Sequence, residues 1–229
     1  HTGLSLKSGE QVTVDVVVSN KGVGHTFPGG TNDSNEGWLE FTVKDEVGNT
    51  LLISGFIDRE GHLDQNAHTF KSVLVDKNSN PIHQRNGQDI HATVYANVIG
   101  PGTADIAHYT FTIPQEFENK KLTMEARLLH RKFDQKYLEF AYKANPEGFK
   151  QFKEIPKLPI TEIATDKIDF LVSDSQTAFS NSTQQKKEHP ASDWIRFNDY
   201  GIGLLLEGDS RGAIRAFEKV SELQPTSLD

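Results

Sequence analysis

The chain has no cysteine among its 229 residues, which excludes disulfide bonds, thiol catalysis and thiolate metal sites. It has no apolar run close to the roughly 20 residues that a membrane-spanning helix needs, so we expect no membrane span. Basic residues are also in deficit, with 24 lysines and arginines against 32 acidic residues and a net charge of −8. Without a basic stripe to displace counterions from phosphates, nucleic acid is not an expected partner.

Sequence motifs of catalysis are missing as well. The sequence has no Gly-x-Ser-x-Gly elbow, phosphate-binding loop, dinucleotide fingerprint or His-Glu-x-x-His pattern. We therefore expect no catalytic activity from this chain itself. Asp76, Asn78 and Asn80 have the spacing of an EF-hand loop, but Pro81 replaces the glycine that such a loop requires. That segment is predicted to be a plain β-turn.

Alternating apolar residues and turn signals predict a mainly β chain. Gln11–Ser19 has valine at every second position, which is typical of a strand. Many short strands at this spacing favour an antiparallel β-sandwich of immunoglobulin-like or jelly-roll type. The other predicted strands cover residues 38–44, 51–57, 69–75, 89–99, 107–113, 121–131 and 161–172. We expect residues 1–172 to form this sandwich domain, with a short helical insertion near 134–144.

The C-terminal part differs from the predicted strands in composition and in the spacing of its apolar residues. Residues 173–192 are rich in Ser, Gln, Asn, Thr and Lys without apolar spacing, which predicts a linker. Residues 193–229 fit one 34-residue tetratricopeptide repeat counted from Trp194; a generic helical hairpin is the alternative. Small residues at Gly201 and Ala213 would let the two helices cross closely. Because a single repeat cannot bury its own apolar face, it should pack on the sandwich or on further repeats.

One turn stands out between the first two long strands. The segment 22–30 reads GVGHTFPGG, with a single histidine, His25, between glycines and a Phe-Pro pair. Glycine lets another body approach the backbone closely, and Pro28 stiffens the turn. His25 either hydrogen-bonds a neighbouring loop or offers an imidazole nitrogen to a metal, such as a haem iron.

The run from Val12 to Glu40, which includes VVVSNKGVGHTFPGGTNDSNEGWLE, resembles the cysteine-free module of large bacterial multihaem c-type cytochromes that end in tetratricopeptide repeats. Residues 38–57, 67–85, 99–114 and 194–225 are similar in the same order. The resemblance implies a periplasmic or extracellular protein that supports electron transfer. Haem c would be bound covalently outside this chain, by a neighbouring segment or subunit with Cys-x-x-Cys-His motifs. The sandwich would shield that haem, and the helical tail would bind other proteins or a second copy of the chain.

The resemblance also implies which residues hold the cofactor. It singles out His25, His68 and His108 as candidate axial ligands of the haem iron. For His68 and His108, the alternative is a hydrogen-bonded structural histidine. The oxygen-rich stretch after the turn suggests a calcium site, or simply an ordered loop; its candidate metal ligands are His25, Asn32, Asp33 and Glu36.

Two other functions fit the same residues. A haem-free structural or adhesive module would build an extracellular filament or cell-surface scaffold, with calcium stabilising its acidic loops. A carbohydrate-binding sandwich would need an exposed Trp38 or a tyrosine platform, although the strand pattern predicts Trp38 in the core. Strand-like sequence follows His1 directly, without a signal peptide. We therefore expect a trimmed or mature fragment.

Overall fold

The computed structural model describes residues 5–143, 154–173 and 193–225. Nine strands and three α-helices lie in these ranges, with short 3-10 turns at Gly87–Asp89 and Gln115–Phe117. The strands are β1 (Ser5–Lys7), β2 (Gln11–Ser19), β3 (Glu36–Asp45), β4 (Thr50–Ser54), β5 (Thr69–Val75), β6 (Ala92–Asn97), β7 (Ala104–Thr112), β8 (Lys121–Arg131) and β9 (Thr161–Ser173). The helices are α1 (Gln135–Lys143), α2 (Asp193–Glu207) and α3 (Ser210–Leu223).

The described residues divide into two compact units. The first unit contains residues 28–98, 121–143 and 154–170. The second unit contains residues 5–27, 99–120, 171–173 and 193–225. Each unit is therefore assembled from distant parts of the chain. None of the described helices is both long and apolar enough to cross a membrane.

The first unit is built on β3. This strand pairs with β8 along its whole length, and its other edge is shared by β5 and β4. The strand order in this unit is β9-β8-β3-β5-β6, with β4 beside β3. All residues of β3 are buried except Glu40 and Lys44, because the strand is central and covered on both faces. Its apolar side chains form the core of the unit.

Trp38 is fully buried in this core. Its indole Nε1 donates a hydrogen bond of 2.9 Å to the carbonyl oxygen of Gly55. Gly55 has a φ of +78°, and a Cβ there would lie 2.1 Å from the carbonyl oxygen of Leu39. Only glycine fits this turn, which ends β4. The burial of Trp38 excludes it as a carbohydrate platform.

The second unit combines a strand pair with the helical tail. β2 and β7 pair in antiparallel register from Gln11 opposite Thr112 to Ser19 opposite Ala104. β1 pairs in parallel with the last residues of β9, Leu171–Ser173. The parallel pairing differs from the all-antiparallel arrangement expected from the sequence. It forms because the last residues of β9 lie beside β1, near the start of the chain.

Two glycines of α2 allow close packing on both of its sides. A Cβ at Gly201 would lie 2.7 Å from the ring of Phe217 in α3. A Cβ at Gly203 would lie 2.6 Å from Ile106 in β7. The core between these elements contains Ile106, Leu204, Ala213 and Ala216. The helical hairpin therefore packs on the strand pair.

The mainly β character expected from the sequence is confirmed by this structure. Its finer assignments stay predictions: the sandwich type, the tetratricopeptide class of the α2–α3 hairpin, and the boundaries 1–172, 173–192 and 193–229. α1 lies within the interval 134–144 where a short helix is expected. Most of the predicted linker, residues 174–192, and the last residues, 226–229, lie outside the described residues.

Candidate functional site

The histidine turn of the second unit is held at both ends. Before the turn, the side-chain amide of Asn20 donates to the carbonyl oxygens of His25 and Ile99, at 2.8 and 3.0 Å. After it, the backbones of Phe27 and Ile99 exchange two hydrogen bonds of 2.8 Å. Gly102 N–H also donates to the carbonyl oxygen of Asn20 at 2.8 Å. The backbone of His25 is therefore fixed, although the turn has no regular structure.

The imidazole of His25 is oriented by its own chain. Its Nδ1 lies 2.8 Å from the carbonyl oxygen of Thr26. Because a carbonyl oxygen only accepts hydrogen bonds, Nδ1 carries the proton and the neutral ring has its lone pair on Nε2. Among the residues that the structure describes, Nε2 has no hydrogen-bond partner. Metal-binding histidines have this arrangement, with one nitrogen fixed by a backbone carbonyl and the other open.

The surroundings of His25 are open to solvent. A Cβ built on Gly22 or on Gly24 meets no atom within 4 Å. Val23 is 41% exposed, although it is apolar. The turn thus presents an open histidine, an exposed apolar side chain and bare backbone on one short segment. These features would let a planar, apolar metal cofactor approach the segment closely.

His68 of the first unit is in a more enclosed setting. It is half-buried, and its ring packs edge-on against Phe70 with centroids 5.3 Å apart. Its Nε2 lies 3.4 Å from the side-chain nitrogen of Asn97. Its carbonyl oxygen accepts a 3.0 Å hydrogen bond from Leu39 N–H. These contacts fit the structural alternative, and the role of His68 as an iron ligand stays a prediction.

His108 lies in the middle of β7, between two carboxylates. Its Nδ1 is 2.7 Å from Asp15 on β2, and its Nε2 is 3.1 Å from Glu207 on α2. Tyr200 of α2 also donates its hydroxyl to Asp15. Hydrogen bonding to Asp15, with a smaller contribution from Glu207, raises the pKa of His108. Both ring nitrogens are therefore hydrogen-bonded to carboxylates and neither offers a lone pair to iron, so this geometry gives the predicted ligand role of His108 no support.

Asp15→Asn is expected to lower the pKa of His108, and Glu207→Gln is expected to lower it less. The stabilisation that His108 gives to α2 is fully present below the ordinary histidine pKa of about 6.5. It is lost as the pH rises through the raised pKa of the folded protein. An NMR titration of the His108 ring in wild type and both variants measures the shifts. Unchanged titration in Asp15→Asn would show that Asp15 does not hold this ring.

Two of the four predicted calcium ligands, Asn32 and Glu36, have other partners. Glu36 is buried and paired with Arg131. With its amide nitrogen turned towards the loop, Asn32 donates to the carbonyl oxygens of Pro28 and Gly30, at 2.7 and 3.1 Å. Among residues 5–143, 154–173 and 193–225, no group of three or more His, Asp or Glu side chains could hold a metal ion. The calcium site of His25, Asn32, Asp33 and Glu36 therefore has no support from this geometry. The oxygen-rich loop is ordered by its own hydrogen bonds.

Sequence reasoning missed the residues that place the histidines. Asn20 anchors the His25 turn, but an asparagine at the end of a strand is a common feature with many roles. Asp15 interrupts a strand of valines, which is a visible signal. Its partner His108 is 93 residues away in the sequence, and only the pairing of β2 with β7 brings the two together.

No protein-family model matches the chain, and no curated protein matches it. Among solved structures, the chain is similar to a penta-haem cytochrome c552 from Thermochromatium tepidum. The identity is 16% and the TM-score is 0.51, over 72% of this chain and 38% of that cytochrome. The likeness concerns the fold, and this chain spans well under half of the cytochrome's length.

Proposed function

We propose that this chain is a non-catalytic module of a multihaem electron-transfer protein, in which His25 is an axial ligand of a haem. The observation that supports this most is the orientation of His25. Its Nδ1 is fixed on the Thr26 carbonyl oxygen, and its Nε2 is open to solvent. The fold similarity to a penta-haem cytochrome supports the same setting.

The chain can contribute one ligand but not the covalent attachment. Since it has no cysteine, thioether bonds to haem c must come from a neighbouring segment or a partner subunit. An iron held by two imidazoles has no open position, so such a haem passes single electrons instead of binding substrate. The role of this chain is then to present His25, to cover the haem edge with the exposed Val23, and to keep water from it.

The helical tail would bind a protein partner in this proposal. Leu205, Leu206 and Ile214 are 54%, 65% and 57% exposed. Apolar side chains exposed at the end of a helical pair are typical of a surface that another helix or subunit covers. A periplasmic or extracellular location follows from the proposed place in a c-type cytochrome.

The visible spectrum of the protein purified from its native source tests this proposal. We expect a low-spin spectrum with sharp reduced α and β bands. His25→Ala should convert one haem to the high-spin form, because its iron loses a strong-field ligand. His91→Ala is the matched control, since His91 is also an exposed histidine and lies outside the turn. A protein without visible absorbance would contradict the proposal and favour a haem-free scaffold.

A further inference from the structure

Basic side chains collect on one surface of the first unit, although the chain as a whole is acidic. This basic patch consists of Lys71 on β5, His83 and Arg85 on the loop after β5, and Lys132 and Lys136 at the end of β8 and in α1. Four of the five are exposed, and Lys71 is half-buried. Lys136 and Lys71 both lie close enough to His83 to lower its pKa, although burial lowers it most.

An aromatic pair holds two of these cations in place. Phe133 precedes α1 and Tyr137 lies in its first turn, with ring centroids separated by 4.8 Å. The guanidinium carbon of Arg85 lies 5.9 Å from the centre of the Phe133 ring and 6.0 Å from that of Tyr137. The Lys132 Nζ lies 5.7 Å from the Phe133 ring. Such cation–π contacts fix the charges without neutralising them.

The cations of the patch have no acidic partners of their own. Within the described part of the chain, none of Lys71, Arg85, Lys132 and Lys136 forms an ion pair. One acidic group, Asp134, lies near the patch, because its charge opposes the lowering of the pKa of His83. Its carboxylate accepts a 2.7 Å hydrogen bond from Tyr137 N–H at the start of α1. By contrast, Arg127 and Arg131 on the same strand, β8, are paired with Glu40 and Glu36.

We propose that the basic patch is a docking surface for an acidic segment of a protein partner. Charge complementarity supports this occupant, because unpaired cations from β5, α1 and two loops lie together in a chain whose net charge is −8. A small anion would need an enclosed site. The open cavity of about 540 Å³ formed by residues 76–91 includes His83 alone of the five. This inference is independent of the haem proposal.

The test measures the binding of a fluorescent oligoglutamate peptide by anisotropy at low ionic strength. The patch variant is Arg85→Gln with Lys136→Gln, and the control is Arg59→Gln with Lys167→Gln. Both variants remove two exposed positive charges, from the patch or from elsewhere on the chain. The patch variant also removes the contacts of Arg85 with Phe133 and Tyr137. We expect the patch variant to bind about tenfold more weakly, as two lost surface ion contacts imply. The control should bind like wild type, and 0.1 M salt should weaken binding because it shortens the Debye length to about 10 Å.

Four results would overturn the inference. Equal weakening of both variants would mean a general charge effect, and absence of peptide binding would mean that the patch has no such role. Inorganic phosphate that competes at equal affinity would indicate a small-anion site. Binding of anionic phosphatidylglycerol vesicles through the patch, without peptide binding, would indicate a membrane surface instead. Circular dichroism spectra of both variants establish that each is folded before binding is measured.

Discussion

Replacing Glu36 with alanine is expected to lower the free energy of unfolding by about 3–5 kcal/mol. The change leaves Arg131 buried without its counter-charge, since the two side chains are only 7% and 6% exposed. Arg131 also donates to the carbonyl oxygen of Gly61 at 2.8 Å and lies 5.9 Å from the Trp38 ring. It cannot turn to solvent without disrupting these contacts.

The intact ion pair of Glu36 with Arg131 contributes less to the free energy of unfolding than the removal of one partner subtracts from it. Burial raises the pKa of Glu36, although Arg131 opposes the shift. The cost of removing the carboxylate from water therefore offsets much of the stabilisation that Arg131 gives to its ionised form. Replacing both Glu36 and Arg131 with methionine should therefore recover much of the stability that Glu36→Ala loses.

Urea unfolding followed by circular dichroism measures these differences. Glu40→Ala is the matched control, because Glu40 lies on the same strand and pairs with the more exposed Arg127. That variant should lose about 1 kcal/mol or less. Similar losses for Glu36→Ala and Glu40→Ala would mean that burial does not distinguish the two ion pairs.

Three strands could be predicted to the residue because their pattern is local. β2, β5 and β8 begin and end where alternation of apolar residues and turn chemistry place them. β4 is shorter than expected and ends at Ser54. The reason is tertiary: Gly55 turns there to present its carbonyl oxygen to Trp38. No local pattern in residues 51–57 contains that contact.

The candidate site was predictable only in part, because some of its contacts join residues that are distant in the sequence. The His25 turn is visible in the sequence because glycine and proline mark it and its hydrogen-bond acceptor is the next residue. His108 resembles a candidate ligand in sequence, yet its partners Asp15 and Glu207 are 93 and 99 residues away. The ion pair of Glu36 with Arg131 likewise depends on the register between β3 and β8.

His25→Ala is expected to weaken haem binding to this chain by more than about 100-fold. The probe is a haem-c peptide, a short Cys-x-x-Cys-His fragment whose iron has one histidine ligand and one open axial position. The loss should be large, because changing even an outer partner of a metal ligand alters metal affinity about 10–100-fold. Removing the ligand itself leaves only the exposed Val23 and bare backbone for contact.

Titrating the ferric haem-c peptide with the chain, followed by its visible spectrum, tests the central claim most directly. The account predicts that wild type and His91→Ala convert the peptide from high-spin to low-spin at the same concentration, while His25→Ala does not. If His25→Ala converts the peptide as well as wild type does, or if wild type causes no conversion, His25 is not an axial ligand.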